Sequence, residues 1–196
     1  MAFFRSVTTD RPPAIEGEGV TLRVPVLADY AEWAHLRELS REFLTPWEPV
    51  WPVDDLTRGA FRRRIQRYVE DQNNDLSYSF FVFRKEDDVM VGGLTIANIR
   101  RGVAQAGSLG YWMGEPFVRR GHMTDSVRAV APFAFGALAL HRLEAACIPS
   151  NTASSRLLAK CGFVREGMAR EYLCINGKWQ DHLLFARLRD DPVRSN

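Results

Sequence analysis

The chain has 196 residues, 46% of them hydrophobic, and a formal net charge of +2 at pH 7. A chain of this length buries one core well and is short for two ordinary domains, so we expect a single domain. The charge is only mildly basic, whereas nucleic-acid-binding proteins concentrate Lys and Arg in blocks, so we expect no nucleic-acid partner.

The cysteines Cys147, Cys161 and Cys174 are an odd number without paired spacing, which favours free thiols in a reducing compartment. The apolar run at the N-terminus is too short for a signal peptide, and no later stretch approaches the length of a membrane span. We therefore expect a cytoplasmic protein with no membrane partner. The sequence leaves the oligomeric state open between monomer and homodimer.

Three parts are predicted along the chain. Residues 1–19 contain Pro12-Pro13 and no hydrophobic periodicity, so we predict a flexible N-terminal arm there. Residues 20–190 carry the periodic segments and form the predicted domain. Residues 191–196 are left as a tail.

Strands and helices follow one another in an irregular order along the predicted domain. Apolar residues at helical spacing predict four helices, over residues 28–44, 57–73, 123–138 and 150–160. Runs rich in β-formers predict about seven strands, over residues 20–26, 76–84, 89–98, 107–113, 141–148, 163–166 with 168–175, and 178–188. This order predicts an α/β (α+β) fold, in which helices flank both faces of a mixed, mostly antiparallel central sheet.

Residues 109–139 form the strand–loop–helix unit around which the chain is organised. Arg119, Arg120 and Gly121 stand directly before the helix, and His122 follows them. Backbone N–H groups at a helix start are unpaired, and the helix dipole adds partial positive charge there. Two arginines and a permissive glycine at such a start suit a diphosphate. A purely structural turn would show the same residues.

The run Asn-Thr-Ala-Ser-Ser-Arg-Leu-Leu-Ala-Lys-Cys-Gly-Phe, residues 151–163, makes the pattern specific. Together with the Arg-Arg-Gly-His-Met turn, it resembles the Gcn5-related N-acetyltransferase (GNAT) superfamily, which moves an acetyl group from acetyl-coenzyme A to an amine. The resemblance spans roughly residues 20–188. Residues 158–167 and the stretch Asn-Gly-Lys-Trp-Gln-Asp-His, residues 176–182, resemble the Rim-type ribosomal-protein-alanine N-acetyltransferases more closely.

The resemblance implies acetyl-coenzyme A (acetyl-CoA) as co-substrate. The superfamily's phosphate-loop pattern, Gln/Arg-x-x-Gly-x-Gly/Ala, matches only at Gly121. The implied diphosphate cradle consists of Val118, Arg119, Arg120, Gly121, His122, Met123 and Thr124, with Met123 expected to narrow it. The pantetheine arm would lie along Tyr111, Trp112 and Met113 and would meet Asn151 and Ser154. No histidine pairs with a cysteine at metal-ligand spacing, so we expect no metal.

The superfamily's usual acid and base are missing at their expected positions. A glutamate base found in some members falls on Ala146, and a tyrosine acid found in many falls on Leu158. In the Rim-type branch a serine assists the departing thiolate, and Ser154 takes that position. Alternatively, the Ser154 hydroxyl only bonds backbone in the first turn of its helix.

For the general base we predict Glu171, acting through an ordered water, with Glu115 and Asp181 as further candidates. Each of these carboxylates could instead be a surface charge or a hairpin contact. Cys147 falls in the strand expected beside the thioester. A covalent acetyl-cysteine could form there, but the superfamily's direct transfer favours a buried structural thiol.

The acceptor is predicted from the chemistry of amines. An α-amine has a pKa of about 7.7–8.0 and lysine about 10.4, so near neutral pH far more of the α-amine is the nucleophilic neutral form. We therefore expect acetylation of the N-terminal α-amine of a protein, of the Ala/Ser type, such as a ribosomal protein. The walls of the acceptor groove are expected from the first two helices, with Trp47 and Trp51 in their connecting loop, and from the Asn176-Gly177 hairpin. The two tryptophans could instead belong to the core.

Two other functions remain open at this point. The acceptor could be a small amine, such as a polyamine, an amino acid or an antibiotic. Alternatively, because the usual Glu and Tyr are missing, the chain could be a non-catalytic acyl-CoA-binding domain.

Overall fold

A computed structural model describes residues 14–192 of the chain. Its strands are β1 (Ala14–Glu16), β2 (Val20–Arg23), β3 (Tyr78–Arg84), β4 (Val89–Arg100), β5 (Ala106–Met113), β6 (Arg142–Cys147), β7 (Val164–Ile175) and β8 (Lys178–Leu188). They form one sheet in the order β1-β2-β3-β4-β5-β6-β8-β7. All neighbouring strands pair antiparallel except β5 and β6, which are parallel. The predicted mixed, mostly antiparallel sheet is confirmed.

The helices are α1 (Tyr30–Leu39), α2 (Arg41–Leu44), α3 (Arg58–Asn73), α4 (His122–Phe135) and α5 (Thr152–Lys160). Short 3₁₀ turns lie at Leu27–Asp29, Thr45–Trp47 and Glu115–Phe117. Among residues 14–192, no helix combines the length and apolar character needed to cross a membrane.

Strand β3 shows how the sheet separates two hydrophobic cores. Phe80 and Val82 point to one face, where they share a core with α4 and α5. Phe81 and Phe83 point to the other face, where they pack with α1 and α3. Because successive side chains of a strand alternate between faces, a strand of continuous apolar residues must be covered on both sides. The predicted placement of helices on both faces is thus confirmed.

The sheet has one strand more than expected, at the N-terminal end of the described chain. Ala14–Glu16 pairs with β2, so the arm predicted over residues 1–19 is wrong for this segment; residues 1–13 lie outside the described range. The turn between β1 and β2 is held by Asp125 of α4, whose carboxylate accepts bonds from the N–H groups of Glu18 (2.9 Å) and Gly19 (2.6 Å).

The first predicted helix is interrupted at Ser40. This residue is fully buried, and its Oγ accepts a hydrogen bond from the Glu115 N–H at 2.9 Å. Its backbone (φ −100°, ψ 8°) leaves the helical region, so α1 and α2 are separate. A tertiary contact, which no local pattern reveals, therefore sets the break.

Strand β7 is continuous but bulged. Its pairing with β8 shifts between Ala169 and Leu173, and Glu171 inside the shift has a left-handed φ of 45°. The following Asn176 and Gly177 have φ of 46° and 75°, as a two-residue hairpin turn of the predicted kind requires.

The parallel strands β5 and β6 diverge. They pair only where Ala106–Ser108 faces Arg142–Glu144. From Leu109 onward, β5 keeps its β4 partner but has no pairing on the β6 side. The divergence leaves a cleft in the middle of the sheet.

Candidate active site

The cleft between β5 and β6 has a volume of about 210 Å³. Its walls come from both strands, the start of α5 and the β7–β8 hairpin, and Trp47 also contributes. A larger depression of about 320 Å³ lies between Leu27 and α3 and is mostly apolar. The lining of that depression has no Ser, Cys, Tyr or His side chain, whereas the cleft is lined by all four types. We therefore place the candidate site in the cleft.

A hydrogen bond between Tyr111 and Ser154 crosses the cleft. The Tyr111 Oη lies 2.7 Å from the Ser154 Oγ. The Ser154 N–H donates to the Asn151 Oδ1 at 3.0 Å, so Asn151 caps α5 and fixes the serine at its first turn. Burial raises the pKa of Tyr111 well above its usual range. The phenol therefore stays protonated and remains a proton donor at neutral pH.

The structure thus brings together three of the predicted residues, Tyr111, Asn151 and Ser154, around one cleft. The Ser154 hydroxyl is bonded to the Tyr111 hydroxyl and not to helix backbone. The sequence predicted Tyr111 as a residue beside the pantetheine arm; a role of its hydroxyl as an acid was missed because the superfamily's tyrosine acid falls on Leu158 of α5.

His182 is the titratable side chain in the cleft that sequence reasoning overlooked. It is 3% exposed and lines the cleft from β8. Its Nδ1 lies 2.9 Å from the Gln180 carbonyl oxygen, and its ring packs edge-on against Tyr172 at 5.8 Å between centroids. The sequence feature that could have indicated His182 is its position as the last residue of the Asn-Gly-x-Trp-x-Asp-His stretch.

Cys147 also lines the cleft, from β6. Its Sγ lies 3.3 Å from the Ser155 Oγ, and its side chain is buried. The cysteine is therefore adjacent to the Tyr111–Ser154 pair, as its place in β6 led us to expect.

The three predicted base candidates do not line the cleft. The Glu171 side chain is exposed, and its N–H donates to the Asp181 carboxylate at 2.9 Å. Glu115 is exposed in the 3₁₀ turn after β5. The bulge of β7 explains the position of Glu171, because the shift in register changes which side chains of the strand face the cleft.

The predicted phosphate loop joins the end of β5 to α4. Arg119 and Gly121 have left-handed φ of 61° and 86°, and Gly121 is the N-cap of α4. Arg119 and Arg120 are exposed. The first N–H groups of α4 have no intrahelical acceptors, so the loop offers donors and positive charge to an anion.

His122 adds a free hydrogen-bonding atom to this loop. Its Nε2 is buried without a partner among the described residues. Burial, followed by the charges of Arg84 and Arg120, lowers the pKa of His122. The imidazole is thus neutral at pH 7, and its Nε2 is available to a ligand.

The neighbouring predicted residues divide between loop and core. Val118 and Thr124 are half-buried beside the loop. The side chain of Met123 is 6% exposed and belongs to the core on the α4 side of the sheet. Since that side chain faces the core, it does not narrow the loop, contrary to expectation.

Along β5, the three residues expected beside the pantetheine differ in direction. Tyr111 and Met113 pack on the α4 side of the sheet, and Trp112 packs on the opposite side. Their backbone shares the strand edge left unpaired by β6. An extended ligand with amide groups could pair with that edge as a strand would.

The two tryptophans have different roles. Trp47 lines the cleft. The Trp51 ring lies 4.0 Å from the Arg37 guanidinium, and its Nε1 donates to Glu48 at 2.7 Å. The Asn176 N–H donates to the Glu48 carbonyl oxygen at 2.8 Å, which joins this loop to the β7–β8 hairpin. The two predicted walls of the acceptor groove are thus connected.

No group of three or more His, Cys, Asp or Glu residues within residues 14–192 is arranged to hold a metal ion.

Diverging parallel strands in a mixed sheet, with a helix N-terminus at the end of the first, are the arrangement that the resemblance to N-acetyltransferases led us to expect. The acetyltransferase (GNAT) domain family matches residues 20–164. A probable N-acetyltransferase of Bacillus subtilis, YjcK, is 35% identical over 90% of this chain and 98% of its own length. The chain therefore belongs to the GNAT family and is an N-acetyltransferase.

Two solved structures narrow the comparison. The ribosomal-protein-S5-alanine acetyltransferase of Vibrio fischeri is 34% identical with a TM-score of 0.84, over 91% of this chain and 98% of that one. Mycobacterium smegmatis RimJ, in complex with CoA-disulfide, is 30% identical with a TM-score of 0.82, over 90% and 85%. The resemblance to the Rim-type enzymes is confirmed.

Proposed function

We propose that this enzyme transfers an acetyl group from acetyl-CoA to the N-terminal α-amine of a protein whose first residue is small, such as a ribosomal protein. The observation that carries the proposal is the narrow cleft ending at the Tyr111–Ser154 pair. Its volume of about 210 Å³ admits an acetyl group and a small first residue. The similarity to an S5-alanine acetyltransferase supports this acceptor class.

Acetyl-CoA fits the groups that the structure leaves free. The diphosphate suits the N-terminus of α4, where Arg119 and Arg120 are exposed and the His122 Nε2 has no partner. The amides of the pantetheine suit the open edge of β5 beyond Ser108. That a 30% identical relative was solved with CoA-disulfide supports the same co-substrate.

Acetyl-CoA supplies an activated carbonyl with a thiolate as leaving group. The neutral amine forms the new bond to this carbonyl, and the bond to sulfur breaks. Ser154 donates a proton towards the sulfur and is resupplied by Tyr111, 2.7 Å away. A phenol is protonated at neutral pH even at its ordinary pKa of about 10, so the Tyr111–Ser154 pair can serve as the acid in place of the superfamily's usual tyrosine, whose position is Leu158 here.

The charges around the cleft favour an α-amine over a polyamine. No carboxylate is among the described residues that line the cleft. A polyamine carries several positive charges and would need acidic partners on burial. An α-amine is substantially neutral near pH 7.5, because its pKa is about 7.7–8.0.

The state of the thiols supports a cytoplasmic location. Cys147, Cys161 and Cys174 are all free, and free thiols are usual in a reducing compartment such as the cytoplasm.

The test is a panel of acceptors assayed for release of free CoA thiol from acetyl-CoA. Peptides that begin with Ala or Ser should be turned over, and a peptide that begins with Leu should be turned over more slowly. Spermidine and free amino acids serve as small-amine controls. Thiol release with these small amines and not with peptides would overturn the proposal, and CoA binding without turnover of any amine would indicate a binding module.

A further inference from the structure

We propose that His182 is the general base, and that its Nε2 accepts the proton of the attacking amine. This inference rests on the proposed function, because it assigns a role in the same reaction. Glu171 is the competing candidate, and the experiment below separates the two.

The hydrogen bond at Nδ1 sets the tautomer of His182. The Gln180 carbonyl oxygen, 2.9 Å from Nδ1, can only accept a hydrogen bond. Nδ1 must therefore carry the ring hydrogen, and in the neutral imidazole Nε2 holds a lone pair. A ring held in this way has the orientation and the protonation state that a base requires.

The Nε2 atom is free to act. Within residues 14–192, no hydrogen bond is formed at this atom. It is also absent from the buried side-chain atoms that lack a partner. Since His182 lines the cleft and is almost fully buried elsewhere, Nε2 is accessible from the cleft.

The surroundings of His182 contain no better base. The titratable groups that line the cleft with it are Tyr111 from β5 and Cys147 from β6. Tyr111 is kept protonated by burial. The Tyr172 ring of β7 packs against His182 in a T-shaped arrangement, with 5.8 Å between the ring centroids. Asp181, which precedes His182 in the chain, does not line the cleft, and its carboxylate accepts a hydrogen bond from the Glu171 N–H.

With these residues, every proton that is released in the reaction is also taken up. The amine nitrogen forms a bond to the acetyl carbon, and its proton goes to His182 Nε2, directly or through one water. The carbon–sulfur bond breaks, and the sulfur takes a proton from Ser154, which Tyr111 replaces. The proton on His182 then returns to the Tyr111–Ser154 pair through water in the cleft, and both sites are restored.

His182→Asn and His182→Gln test this assignment. Asparagine can still donate to the Gln180 carbonyl oxygen but has no basic nitrogen, whereas glutamine places its amide near the position of Nε2. We expect kcat/KM with an Ala-initiated peptide to fall by about 10²- to 10⁴-fold in both variants, a typical loss for a general base. The Kd for CoA should stay within about twofold.

Two comparisons complete the experiment. Glu171→Gln should behave like the wild type, and added imidazole should restore part of the turnover of His182→Ala. The proposal is overturned if His182→Asn keeps kcat/KM within about threefold of the wild type, or if Glu171→Gln shows the larger loss. Loss of the fold in all three His182 variants also counts against it, because a residue that only holds the hairpin together predicts that result.

The wild-type acceptor panel separates failure of this inference from failure of the proposed function. Turnover of small amines alone overturns the α-amine acceptor, and the His182 variants are then compared on the best small amine. No turnover with any amine overturns both claims.

Discussion

The hydroxyl groups of Tyr111 and Ser154 lie 2.7 Å apart across the cleft where β5 and β6 diverge. One belongs to a strand and the other to the first turn of a helix, so the contact exists only in the folded chain. It joins the partly buried Tyr111 phenol to the serine that we propose donates a proton to the departing thiolate.

Removing either hydroxyl should slow the chemical step. We expect Ser154→Ala and Tyr111→Phe each to lower kcat by about 100-fold, since a proton donor to the leaving group is lost. The double variant should lose little more, because the two residues act as one unit. Stopped-flow thiol release measures this. If the loss of kcat in the double variant equals the product of the two single losses, the two hydroxyls act independently, which would contradict proton transfer from Tyr111 to Ser154.

The same tyrosine predicts a pH dependence of stability. Burial raises the pKa of Tyr111 in the folded state, so the folded protein holds this proton more tightly than the unfolded chain. This contribution to stability is complete below about pH 10, the ordinary pKa of tyrosine, and is lost at higher pH. Denaturant unfolding should therefore show the wild type losing stability relative to Tyr111→Phe above that pH. If the free energies of unfolding of the wild type and of Tyr111→Phe change in parallel with pH, the phenol is not buried.

Gly121→Val should abolish CoA binding. The left-handed φ of 86° at Gly121 strains any residue with a Cβ. A Cβ there meets no protein atom within 4 Å, so the valine side chain would occupy open space that we propose for the diphosphate. Gly102→Val is the matched control, since Gly102 also has positive φ (63°) and open space but lies at the opposite end of β5. Calorimetric titration should find CoA binding intact in the control. Equal loss in both variants would indicate a general effect on the fold.

Arg37→Ala should destabilise the fold and weaken acceptor binding. Arg37 is 7% exposed, bonds both oxygens of Glu48 (2.8 and 2.6 Å), and packs against Trp51. Its loss leaves the half-buried Glu48 carboxylate without its charged partner and with only the Trp51 Nε1 as a side-chain donor, which should lower the free energy of unfolding by about 2–3 kcal/mol.

The control for Arg37 is Arg63→Ala, which removes an exposed ion pair with Asp54 and should change the free energy of unfolding by less than about 1 kcal/mol. Because the Arg37–Glu48 pair also fixes the loop that carries Trp47, KM for the peptide should rise more than KM for acetyl-CoA. An equal rise in both KM values would argue against this loop as an acceptor wall.

Cys147→Ala should retain turnover within about fivefold. The proposed attack is direct, so the thiol beside Ser155 has no covalent role. Mass spectrometry of wild-type protein mixed with acetyl-CoA should detect no acetylated Cys147. A burst of thiol release without acceptor, abolished in the variant, would indicate an acetyl-cysteine intermediate instead.

Local signals predicted much of the fold and of the cofactor site. Ser150 and Asn151 are both recognisable as possible caps of the fourth predicted helix, Gly121 as a loop glycine before a helix, and Asn176-Gly177 as a hairpin turn. Each depends on the conformational preference of one or two residues. The structure confirms the elements at all three positions.

Side-chain direction in bulged or interrupted elements could not be predicted. The bulge of β7 between Ala169 and Leu173 changes which residues face the cleft; Glu171, expected there, is exposed, while His182 of β8 lines it. The break at Ser40 depends on Glu115, distant in sequence. A strand as short as β1 shows no periodicity and forms only by pairing with β2.

The measurement that tests the central claim most directly compares two peptides that differ only in which amine is free. One has a free N-terminal alanine and an acetylated lysine; the other has an acetylated N-terminus and a free lysine. With wild-type enzyme and acetyl-CoA, the account predicts thiol release and N-terminal acetylation for the first peptide alone. Equal turnover of both peptides, or turnover of the lysine peptide alone, would contradict it.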